Sequence, residues 1–87
     1  MKTATERIEK IEKILIRLQR EMKENGLMHP DHTLKVDYNR SGHRVEVYKQ
    51  DGSLYKDPFI TDRYPSNVLV PLLENMADCL SRKLYDL

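Results

Sequence analysis

The stretch that decides the fold reads TLKVDYNRSGHRVEVYKQDGSLYKD, residues 33–57. Leu34, Val36 and Tyr38 alternate with Lys35 and Asp37, and Val45 and Val47 alternate with Arg44, Glu46 and Tyr48. A period of two sends successive side chains to opposite faces of an extended chain, so the pattern predicts two half-buried strands. Asn39-Arg40-Ser41-Gly42 joins them. Two registers are open for this hairpin. One sets Asp37 opposite Arg44 and Lys35 opposite Glu46; the other suits Gly42 better but opposes Asp37 to Glu46, and in both the apolar residues share a face. Asp51-Gly52 is the strongest short hairpin signal in the chain, because both central positions of a type I′ turn take positive φ. It predicts a third strand over Ser53–Asp57, with Tyr48 directly across from Tyr55 and both rings turned away from the valine face.

Working outward, residues 1–26 carry a helical period. Thr3 followed by Glu6 has the spacing of a capping box, and Asn25-Gly26 supplies a helix end that Pro30 reinforces. Between these signals Ala4, Ile8, Ile11, Leu15, Leu18 and Met22 recur at alternating steps of four and three, which is a heptad seam. Residues 58–69 carry two prolines and no clear period and read as a surface loop, although Phe59, Ile60 and Tyr64 are too apolar for a segment that only connects. Pro71 removes an intrahelical bond, so the last helix is expected over residues 70–86, with Leu73, Met76, Ala77, Leu80 and Leu84 on one face.

The expected architecture is one α+β domain in the order α-β-β-β-α. A three-stranded antiparallel meander presents Leu34, Val36, Tyr38, Val45, Val47 and Leu54 to the C-terminal helix, and a long amphipathic helix precedes it. That leaves the N-terminal seam of Ile8, Ile11, Leu15, Leu18 and Met22 for pairing with a second copy, a homodimer. Ile14 and Ile16 lie off the seam and widen its apolar surface. The competing reading packs the same stripe on the chain's own sheet.

Eighty-seven residues bury a modest fraction of their surface, and the staples open to small domains are disulfides, metals and oligomers. Cys79 is the one cysteine, so no internal disulfide forms, and with no signal-like N-terminus the reducing cytoplasm is the expected compartment. Fifteen Lys and Arg against fourteen Asp and Glu leave a formal charge of +1, which gives no field toward nucleic acid or anionic lipid. No apolar run approaches the roughly 20 residues of a membrane span.

Catalytic signals are weak. His29 and His32 bracket Asp31, but a closed zinc site needs four ligands and only His43 and the distant Cys79 remain, so no metal and no cofactor is expected. Cys79, beside the apolar Met76, Ala77 and Leu80, reads as a small buried hydrophobe. There is no glycine-rich phosphate loop and no nucleophile elbow. The expected activity is therefore binding rather than catalysis.

The order helix, three antiparallel strands, helix is similar to that of the double-stranded RNA-binding domain, which implies nucleic acid as a candidate partner. That family grips phosphate with a glycine-rich, doubly basic stretch at the start of its last helix; this chain has Tyr64-Pro65-Ser66-Asn67-Val68 there. The strand-strand-helix half also resembles the flagellar FlaG family, without that family's Ile-Arg-Gln-Ile-Pro-type hairpin ending. The favoured expectation is a small adaptor, regulator or inhibitor that occupies another protein's surface, with Tyr48, Tyr55, Phe59 and Tyr64 as aromatic anchors.

Overall fold

In the computed structural model, which describes residues 4–82, the chain runs α1 (Ala4–Glu24), β1 (Thr33–Asn39), β2 (Gly42–Tyr48), β3 (Ile60–Tyr64) and α2 (Ser66–Arg82). This is the α-β-β-β-α order read from the sequence. The sheet is antiparallel throughout, with β2 in the centre.

α1 ends where Asn25-Gly26 places it. The Leu27 amide bonds the Met22 carbonyl at 2.8 Å and the Gly26 amide bonds the Lys23 carbonyl at 3.2 Å, the paired bonds of a Schellman cap. Thr3, the first half of the expected capping box, lies outside the described residues. The first hairpin takes the charge-paired register, Asp37 opposite Arg44 and Lys35 opposite Glu46, with Arg40 and Ser41 turning the chain. Gly42 answers to a different constraint: a Cβ there would sit 2.8 Å from the Tyr64 carbonyl oxygen, and its φ is +121°. The glycine lets β3 close over the hairpin end. Arg63 secures that closure, donating to the Asp37 carbonyl and the Gly42 carbonyl at 3.2 Å each and to the Asp37 carboxylate.

The third strand lies later than the expected Ser53–Asp57. The Gly52 amide bonds Lys49 O at 3.0 Å and the Lys49 amide bonds Ser53 O at 2.9 Å, so Gln50 and Asp51 are the central turn residues and Gly52, at φ +86°, is the bulge that follows. That adds one residue to the loop and shifts the register: Tyr48 faces Leu54, and the Tyr55 amide bonds Val47 O at 2.8 Å. The chain then leaves β2, returns through a bond from the Phe59 amide to Val45 O at 3.0 Å, and pairs as Ile60–Tyr64 across an irregular register. Part of the segment read as a loop is therefore the strand, and its excess of apolar residues was the signal.

Both helices cover one face of the sheet, α1 over β1 and α2 over β2, and they pack on each other. The expectation gave that face to the C-terminal helix alone. Ile11, Leu15 and Leu18 are 0%, 1% and 0% exposed within the single chain, joined by Leu34, Val45, Leu69, Leu73 and Ala77. The centre of the N-terminal seam is thus buried against the chain's own sheet and second helix. Two-helix cover of a narrow sheet leaves its margins bare: Tyr38 is 45% and Leu54 52% exposed, so neither belongs to the core face as expected. Ile16, also off the core, is 66% exposed.

α2 starts at Ser66 rather than near residue 70. The Val68 and Leu69 amides both bond Pro65 O at 3.0 Å, so the helix begins on a proline carbonyl and Ser66 opens its first turn. Pro71 costs the bond that would have closed on Asn67. Burying Leu69 and Val70 in helical phase with Leu73, Ala77 and Leu80 offsets it, at about 1.5–3 kcal/mol for each fully buried side chain.

Candidate functional site

The C-terminal cap of α1 places Met22 and Leu27 side by side, since the Schellman turn brings these two positions into contact. α2 contributes Leu72, Met76, Cys79 and Leu80, and the bond from Phe59 to β2 holds the phenyl ring at the margin. Together with Asn75 they line a groove of about 410 Å³ whose walls are almost wholly apolar. Leu27 is 50% and Leu72 38% exposed, while Leu80 at 8% forms part of the floor. Two thioethers and a thiol give the walls polarizable, adaptable groups. Arg17 bridges α1 to Asp78 of α2 at 2.8 Å, a partly exposed pair that fixes helix spacing more than it adds stability.

The four expected aromatic anchors meet different neighbours. Tyr48 carries the Lys35 ammonium 5.0 Å from its ring centroid, whereas Tyr55 meets the His32 ring at 5.4 Å, a consequence of the shifted register. Tyr64 packs against the core and its carbonyl faces His43 Nδ1 at 3.3 Å. Only Phe59 reaches the groove. Of the N-terminal seam, Ile8 and Met22 stay half-buried, and Met22 is a groove wall. Cys79 is exposed rather than buried, because Ala77 and Leu80 occupy the inward positions of its turn.

The outer sheet face is mixed in charge: Arg44 lies 3.3 Å from the buried Glu46 and 3.9 Å from Asp37, which also holds Arg63. His29 and His32 stack with ring centroids 4.8 Å apart, and among the described residues no group of three or more His, Cys, Asp or Glu gathers at metal-binding distance. Nor, among these residues, is any helix long and apolar enough to cross a membrane. Comparison with known proteins returned no matching family, no matching curated protein and no matching solved structure.

The groove was only partly legible beforehand. Met22, Phe59, Met76 and Leu80 each stood out as apolar, but their meeting depends on the helix pairing, and Leu27 and Leu72 fell outside the periodic stripes.

Proposed function

We propose that this chain is a non-enzymatic protein-interaction module, an adaptor, regulator or inhibitor, whose groove receives an amphipathic helix of a partner protein. The observation that supports this reading is the apolar groove itself, with Leu27 and Leu72 left open to solvent at its lip. Its α2 wall runs from Leu72 to Leu80, about 12 Å at 1.5 Å per residue, or a little over two helical turns. That length accepts apolar side chains spaced i, i+4 and i+7 on a partner helix, and methionine walls adjust to their shapes.

The test is affinity capture from the native host with wild-type, Leu27→Glu and Leu72→Glu baits. Both positions are exposed enough that the variants stay folded, Leu27→Glu losing at most the cap contact with Met22, while a partner held in the groove is lost by about tenfold or more, one buried leucine's contribution. Tyr48→Ala serves as the control on the outer face. A partner retained equally by both groove variants and lost with Tyr48→Ala removes the groove from the mechanism.

A further inference from the structure

A second site lies at the other end of the helix pair, where α2 begins. Pro65 has no side-chain oxygen to cap the helix, and among the described residues the amides of Ser66 and Asn67 form no hydrogen bond. A helix start with free amides, at the positive end of the dipole, attracts anions. Arg7 of α1, Arg40 of the β1–β2 turn and His43 of β2 converge on it, and with Ser66 and Asn67 they line a cleft of about 320 Å³ that, among the described residues, contains no carboxylate.

Two buried groups point independently to a ligand here. His43 is 3% exposed; its Nδ1 faces Tyr64 O at 3.3 Å, and Nε2 on the other side of the ring is buried with no partner among the described residues. Arg7 Nε is likewise buried without a partner, and neither Arg7 nor Arg40 joins an ion pair among the described residues. Buried polar atoms are normally satisfied, and a partly buried guanidinium normally has an anion beside it. We propose that this cleft binds the phosphate group of a small phosphorylated molecule. The guanidinium groups and the Ser66 and Asn67 amides donate to the phosphate oxygens, and His43 Nε2 either accepts from a phosphate hydroxyl or, protonated, donates to an oxygen.

A small ligand fits better than a nucleic-acid backbone. The volume is at the lower end of small-molecule sites, and the positive surface is short, since Glu74 lines the adjoining cleft beside Arg7 and Lys10. A chain of formal charge +1 has no extended basic track to follow successive phosphates.

The experiment is an amide-resolved NMR titration of the whole chain with inorganic phosphate and with glycerol phosphate, against sodium chloride at matched ionic strength. Saturable shifts at Ser66 and Asn67 with both phosphates, absent in chloride, are expected. Arg40→Gln, at an exposed turn position, should weaken binding about tenfold, the loss of one charge-assisted bond, with no change in melting temperature. Ser66→Pro should also weaken it, since proline is accepted at the first helical position and removes the backbone donor there together with the hydroxyl. Shifts identical in chloride, or phosphate shifts unchanged in both variants, overturn the site. A nucleic-acid duplex that moves the same amides at lower concentration than glycerol phosphate overturns the small-molecule assignment.

Discussion

Gln19→Leu tests how the sheet's open edge is managed. β1 is an edge strand, and the outward-facing peptide groups of such a strand invite another chain to pair with them. Gln19 of α1 answers this at one residue with a side-chain amide that imitates a neighbouring strand. Its Oε1 accepts from the Leu34 amide at 3.0 Å and its Nε2 donates to the Leu34 carbonyl at 3.4 Å. Leucine is close in size and equal in helix propensity, so the substitution removes both bonds without disturbing α1. The shorter bond is worth about 1 kcal/mol and the longer one less, while each Leu34 group left partly buried costs up to a further 1–3 kcal/mol unless water reaches it. Added leucine packing against Leu15 and Ile16, one helical turn away, recovers some of this.

A net destabilisation of about 1–2 kcal/mol follows, against a total of roughly 4–13 kcal/mol for 87 residues at the usual per-residue stability. With a urea m-value of about 1 kcal/mol/M, the midpoint should fall by about 1–2 M at unchanged slope. Hydrogen exchange gives the direct reading: the Leu34 amide, unpaired by any strand on its outer side, is protected in the wild type and unprotected in the variant. Sedimentation should show the variant associating with rising concentration. An unchanged midpoint together with an unchanged Leu34 exchange rate refutes the reasoning.

Leu15→Ala, at a residue 1% exposed in the core that α1 forms with β1 and α2, should cost about 2–5 kcal/mol, read as a lowered thermal midpoint. Leu15→Glu that leaves both stability and sedimentation intact would contradict the internal packing. Gly42→Ala should destabilise by more than 1 kcal/mol and release β3 protection first, because its methyl meets Tyr64 O at a φ of +121°. Asp51 accepts from the Ser53 amide at 2.9 Å and its hydroxyl at 2.6 Å, which lowers its pKa below the usual 3.8. The folded form thus holds its proton less tightly than the unfolded one, so this contribution is full above pH 3.8 and is lost as the pH falls through the lowered value; Ser53→Ala should raise the Asp51 midpoint in an NMR titration.

The sequence carried the element order because two periods do not resemble each other: α1 repeats at three and four residues, and β1 and β2 alternate. It also carried the hairpin charge pairing as one of two registers, and choosing between them required Gly42's contact with Tyr64, some twenty residues away. The third strand was misplaced for a local reason. Asp51-Gly52 fits both a two-residue I′ turn and the last positions of a longer turn with a glycine bulge, and one residue of difference exchanges every facing pair. The start of α2 was misplaced because Pro71 is a strong local signal, while the burial of Leu69 that overrides it is tertiary.

The same distinction explains what became of the heptad seam. Ile8 to Met22 specifies an apolar face of the right period whether the complementary surface is another copy, a sheet or a neighbouring helix, since burial has no direction. What decides is supply: once α2 enters four residues earlier and brings Leu69 and Val70 to the core, the chain has enough internal surface to cover Ile11, Leu15 and Leu18. The apolar surface left over is displaced to Leu27 and Leu72, which stay exposed at the groove between the end of α1 and α2. The period of a helix face therefore says how much apolar surface must be covered, while the elements that pack on it decide which apolar side chains the core cannot reach.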